Sequence, residues 1–186
     1  RQAALGGGLP KSVGALNINK VCGSGLKAIM LASQAITVGD AEIIVAGGME
    51  SMSNAPHLIQ GVRAGIRLGH GKLSDHMFLD GLEDAYTGRA MGTFAQETAD
   101  QYGLTREQMD EFAIASLQRA KAAIESGALK AETVPVTISS RKGDVTVTDD
   151  EQPHKAALDK IPSLRPAFTK DGTITAANSS SISDGA

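Results

Sequence analysis

Residues 15–48 read "ALNINKVCGSGLKAIMLASQAITVGDAEIIVAGG", and the way this stretch folds decides how the rest of the chain is understood. "ALNINKV" (15–21) alternates apolar and polar residues, the period of a strand. From Leu26, the residues Ile29, Ser33 and Ile36 recur at helical spacing, and Gly39 supplies a stop. "AEIIVAGG" (41–48) is a compact apolar run ending in glycines, the pattern of a buried strand. Strand, helix and strand in so short a span predict a βαβ unit with parallel pairing and a right-handed crossover. The expected class is α/β.

Cys22, the only cysteine in the chain, stands at the first strand-to-helix junction and is followed by Gly23, Ser24 and Gly25. Three readings compete. Free cysteine is among the most buried residue types, so Cys22 is a small core residue in the first. In the second, Gly23–Ala28 fits the G-x-G-x-x-G/A dinucleotide loop, with Glu50 following the next strand, although "LNINK" is too polar for the buried strand that normally precedes it. The third makes Cys22 a nucleophile. The positive end of a helix and its unpaired N–H groups favour a thiolate, and glycines on the C-terminal side let a substrate carbonyl approach the backbone. Residue chemistry favours this last reading and leaves the others open.

The 186 residues are 41% hydrophobic and 21% charged with a net charge of −3, which suits one globular domain or slightly more. No Lys/Arg cluster alternates with aromatics, so a nucleic-acid partner is not expected. No apolar run approaches membrane-spanning length, so no membrane partner is expected either. A lone cysteine forms no internal disulfide and fits a reducing, cytoplasmic setting. The opening "RQAALGGGLP" resembles a helix tail entering a glycine turn, and "SSSISDGA" resembles the approach to a helix; the chain is read as a piece of a longer polypeptide.

Residues 49–77 mix Met, His, Gly and Ser without a steady period and predict a long functional or assembly loop. A helix is expected over about 91–102, ending at Gly103. A second opens on Thr105 and Gln108 in capping-box register, carries Met109, Phe112, Ala113, Leu117, Ala120 and Ile124 on one face, and stops at Gly127. "ETVPVTI" and "GDVTVTDDE" predict a strand pair around a turn at Arg141–Gly143, and "GTITAANSSS" a strand running into a small-residue turn. His57, His70 and His76 lack the paired spacing of a metal site, so no metal is expected.

Five blocks, taken in order, carry a resemblance: "NKVCGSGLKAIMLASQAI", "AGGMESMSNAPH", "DGLEDAYTGRAMGTFAQETADQYGLTREQMDEFAIASLQRA", "SLRPAF" and "DGTITAANSSSISDGA". Together they resemble thiolases of the acetyl-CoA acetyltransferase type along essentially the whole chain. The resemblance implies a layered αβα fold with an inserted, largely helical loop domain: residues 1–51 in the N-terminal core, 52–163 in the insertion and 164–186 returning to the core. It implies acyl transfer between CoA thioesters, namely condensation of two acetyl-CoA or cleavage of a 3-ketoacyl-CoA, with Cys22 acylated. CoA thioesters are then substrates and no cofactor is implied. Leu82, Met91, Ala167, Phe168, Ala176 and Ser180 match substrate- or CoA-lining positions, and Ala90 departs from a histidine found in many biosynthetic members. Near the nucleotide end the chain offers His154, Lys155 and Lys160 where an arginine is expected. The family's loop domain builds a homotetramer, a dimer of dimers. Its G-H-P-x-G and C-x-G-G acid/base motifs do not occur here, so the chain alone is expected to be inactive. A dinucleotide-dependent oxidoreductase and a non-catalytic thiolase-like protein are the alternatives.

Overall fold

The computed structural model describes all 186 residues, which divide into two compact units, Arg1–Ala85 with Ile182–Ala186, and Tyr86–Ser181. In the first unit a short helix α1 (Gln2–Gly6) precedes α2 (Ser24–Thr37), a hairpin of β1 (His57–Ile59) and β2 (Leu73–Asp75), and a π-helical turn at Phe78–Leu82. Helix α2 matches its predicted span. It ends because Gly39 adopts φ +78, which lets the amides of Gly39 and Asp40 fold back onto the carbonyls of Ile36 and Ala35.

The two predicted core strands do not form. Neither 15–21 nor 41–48 joins a ladder, and the only sheets are two antiparallel hairpins. A strand exists through its neighbour's hydrogen bonds, and no other segment offers these runs an edge. Their apolar side chains stay in water: Leu16 is 81% exposed and Ile43 87%. No residue of the first unit is buried. The accessible surface is 14890 Å². A compact chain of this mass exposes about 8,400 Å², and two separate compact halves about 10,000 Å². No placement of two well-packed units accounts for the excess, so a large apolar area lacks its cover.

The second unit holds α3 (Met91–Tyr102), α4 (Arg106–Glu125), a hairpin of β3 (Val136–Ile138) and β4 (Val145–Val147), α5 (Glu151–Lys155) and a 3₁₀ stretch at Leu158–Ser163. Helix α3 closes on Gly103 in the left-handed region, and α4 opens on the predicted capping box. Gln108 N–H donates to Thr105 Oγ1 at 3.2 Å, and Thr105 N–H donates to Gln108 Oε1 at 2.9 Å. Such a cap contributes about 1 kcal/mol. The β3–β4 turn falls at Ser140–Gly143 as expected. One member of the α4 face is displaced: Phe112 is 75% exposed, while Asp110 and Ala113 are buried. The inward stripe therefore runs through Arg106, Asp110 and Ala113, where Arg106 holds Asp110 Oδ2 at 2.8 Å and the Ile161 carbonyl at 2.9 Å. The predicted strand in "GTITAANSSS" is instead a series of turns stitched by side chains.

Candidate active site

Cys22 lies one residue before Gly23, the N-cap of α2, and its side chain is exposed. The turn that presents it is closed by short-range bonds. Lys20 N–H donates to Ser24 Oγ at 2.8 Å, Ser24 O–H donates to the Val21 carbonyl at 2.8 Å, and Val21 N–H donates to Asn19 Oδ1 at 2.9 Å. Within this turn Val21 has φ +48, the one non-glycine residue in the left-handed region. A β-branched residue there costs roughly 1–2 kcal/mol, which the three bonds to Ser24 and Asn19 offset. The result is a sharp elbow that lifts Cys22 out of the chain path ahead of a helix N-terminus, where first-turn amides such as those of Gly25 and Leu26 point outward without acceptors.

The elbow yields a test. Val21→Gly removes the strain, so stability is expected to stay level or rise by up to about 1 kcal/mol, net of the unfolded-state entropy of glycine. Alkylation of Cys22 by iodoacetamide is expected to slow roughly tenfold as the elbow loosens. Denaturant unfolding and alkylation kinetics read both effects, and an unchanged alkylation rate would refute the role given to Val21.

The glycines after Cys22 serve packing. A Cβ on Gly48 would lie 3.2 Å from Gly25 Cα, so the first turn of α2 rests main chain on main chain against the end of the 41–48 run. An open cavity of about 320 Å³ faces the thiol, lined by Val21, Cys22, Ser24, Gly25, Gly48, Met49, Glu50, Gly185 and Ala186. Its far wall is pinned: Glu50 and Gly185 exchange both backbone hydrogen bonds, at 2.7 and 3.0 Å. Asp184 Oδ1 accepts from Ser53 N–H at 2.9 Å, and that bond holds the Asp184 carboxyl below its usual range. No histidine lines the cavity, and Glu50 is its one acidic side chain.

Of the predicted substrate-contact residues, Leu82 closes the π-helical turn of the first unit and is half-buried. The other five lie in the second unit. Met91 opens α3 and is 41% exposed, and Phe168 is 40% exposed. The Phe168 ring lies directly on Gly92, where a Cβ would overlap it, so Phe168 is held against the start of α3 next to Met91. Ala167 N–H donates to the Ile174 carbonyl at 2.8 Å, joining "LRPAF" to the segment that carries Ala176 and Ser180, both exposed. Four of the five are thus linked through α3 and one loop cluster to Met91. Lys155 is engaged by Glu151 at 2.6 Å. His76 pairs with Asp80 at 3.2 Å.

A family model described as "Thiolase, N-terminal domain" matches residues 1–186. The chain belongs to the thiolase family. Over its full length this thiolase chain is 54% identical to an acetyl-CoA acetyltransferase of Cupriavidus necator and 53% identical to one of Pseudomonas aeruginosa, covering 48% of each. The crystal structure of the Bacillus anthracis acetyl-CoA acetyltransferase superposes with a TM-score of 0.90 at 41% identity, over 99% of this chain and 47% of that one. The acetyl-CoA acetyltransferase of Syntrophomonas wolfei gives 0.84 at 40% identity, over 97% and 45%. The α/β thiolase-like fold is therefore established even though the core strands lack partners within this chain. The thiolase chain spans about half the length of the relatives it matches. No helix in it is long and apolar enough to cross a membrane.

Sequence reasoning missed the Val21 elbow, the Gly92–Phe168 contact and the buried Gln96. The last had a readable signal, because Gln96 falls in helical register with Gly92 and Ala99 on the inward face of α3.

Proposed function

We propose that this chain carries the nucleophile of an acyltransferase that condenses acetyl-CoA to acetoacetyl-CoA or, in reverse, cleaves a 3-ketoacyl-CoA with CoA. The carrying observation is the exposed Cys22 on a strained elbow at the N-terminus of α2, facing an open cavity. The Cys22 sulfur attacks the thioester carbonyl, the carbonyl–sulfur bond to CoA breaks, and CoA leaves as a thiol with the proton that Cys22 gave up. The α-carbon of a second acetyl-CoA, after losing a proton, then attacks the acyl-cysteine and releases the Cys22 sulfur. Each step exchanges one thioester for another or for a carbon–carbon bond, and no oxidant is needed. The outward amides of the α2 first turn provide donors for developing negative charge.

The proton acceptors are proposed to lie in the part of the relatives' length that this chain does not span, in keeping with a cavity free of histidine. Leu82, Met91, Ala167, Phe168, Ala176 and Ser180 are proposed as acyl-CoA contacts, with no cofactor beyond the CoA substrates. Residues 52–163 are proposed as the inserted loop domain of a homotetramer, in a reducing compartment that keeps an exposed thiol free. Acetyl-CoA should leave one acetyl group on Cys22 of the complete polypeptide, read by peptide mass spectrometry after acid quench. Tight NADH binding without that adduct would overturn the proposal in favour of a redox protein, and an unmodified Cys22 with neither ligand bound would point to a non-catalytic relative.

A further inference from the structure

We propose that Gln96 is a positioning residue for the CoA-contact loop, acting through the hydrogen bonds of its carboxamide rather than through packing of α3. The inference rests on the acyltransferase reading and assigns a role within it. Gln96 is 6% exposed, on the inward face of α3. Its Oε1 accepts from two successive main-chain amides, Thr173 at 2.8 Å and Ile174 at 3.2 Å. Its Nε2 donates to Asp100 Oδ1 at 2.8 Å and to Thr173 Oγ1 at 3.2 Å. Both polar atoms of the carboxamide are thus engaged, in four hydrogen bonds, and two of these satisfy backbone donors, the part-buried Thr173 N–H and the buried Ile174 N–H.

The loop is built around this anchor. A Cβ on Gly172 would overlap Thr169 Oγ1 and crowd Gln96 Oε1, so glycine is what lets the main chain come within reach of the carboxamide. Beyond it, Thr175 is fully buried, its N–H donates to Asn178 Oδ1 at 2.8 Å, and Asn178 Nδ2 donates to the Thr173 carbonyl at 3.0 Å. Ser179 O–H donates to the Thr175 carbonyl at 2.7 Å. The Ile174 carbonyl also receives Ala167 N–H. Ala167, Ala176 and Ser180 therefore hang on a main-chain frame that Gln96 ties to α3 by hydrogen bonds, beside the apolar contact of Phe168 with Gly92.

Gln96→Leu and Gln96→Glu test this in the complete polypeptide, with CoA binding read by calorimetry and Cys22 reactivity by iodoacetamide. Leucine leaves the buried Ile174 amide and the part-buried Thr173 amide without an acceptor, and CoA should bind about tenfold or more weakly while the alkylation rate is unchanged. Glutamate keeps the acceptor but sets a carboxylate against Asp100, the one ionisable group bonded to the site; on the facing segment Lys170 and Asp171 are exposed. Near pH 7.5 the glutamate variant should also bind CoA weakly. Toward pH 5.5 the introduced carboxyl, buried at position 96, takes up a proton, the donor is restored, and the ratio to the parent should fall toward one. Where the leucine variant does not fold, the glutamate ratio decides. Parent-like CoA affinity in the glutamate variant at both pH values, or equal weakening at both, would overturn the proposal. Failure of the acyltransferase reading shows separately, as absence of acetyl-Cys22 in the parent.

Discussion

Cys22→Ala should lower turnover of acetoacetyl-CoA with CoA by a factor on the order of 10⁴ to 10⁶ in the complete polypeptide, because no other thiol in this chain can form the acyl intermediate. Cys22 is exposed on the surface of its unit, so the stability of this chain should change by less than about 0.5 kcal/mol. This combination separates a nucleophile from a structural cysteine. The measurement is steady-state turnover alongside denaturant unfolding, and full activity in the variant would end the covalent mechanism.

Gly92→Ala carries the second large effect, and its sign is opposite to what helix propensity alone predicts. Alanine in place of glycine near a helix start ordinarily stabilises by up to about 1 kcal/mol. Here the new methyl would overlap the Phe168 ring, so either the ring or the start of α3 must move, at a cost of about 1–3 kcal/mol. Because the ring is a proposed acyl-CoA contact beside Met91, KM for CoA thioesters should also rise roughly tenfold. Iodoacetamide should still label Cys22 at the parent rate, since the elbow is built from residues 19–24. A stabilised variant with unchanged KM would show that Phe168 relaxes freely and binds nothing.

What was legible in the sequence follows from how far each signal reaches along the chain. Helices α2, α3 and α4 were readable to within a residue or two because their spacing, glycine stops and capping box act over a few positions. The runs 15–21 and 41–48 have the composition of strands, but a ladder needs a partner, and none is supplied locally. The β1–β2 hairpin was hidden because its strands are only three residues long, separated by a glycine-rich loop without alternation. Phe112 was misplaced because periodicity cannot show that Arg106 and Asp110 claim the inward stripe as an ion pair. At the site, Cys22 stood out through its glycines and helix start. The positive φ of Val21 did not, since a β-branched residue is the last expected there.

The contact between Gly25 and Gly48 has a bearing on how substrate choice can diverge. Around the thiol the walls are Gly25, Gly48, Gly185 and Ala186 with the polar side chains of Ser24 and Glu50, and Val21 and Met49 are the only sizeable apolar side chains. A methyl group on Gly48 would lie 3.2 Å from Gly25 Cα, closer than ordinary contact, whereas one on Gly25 would meet Gly48 at an ordinary 3.6 Å, so the constraint on this corner falls on Gly48. On the proposed acyltransferase reading, a preference between short and long acyl groups is then encoded by positions other than the Gly25–Gly48 corner. The nucleophile's seat behaves as a fixed socket, and variation in what it accepts is left to the surfaces that meet the rest of the thioester.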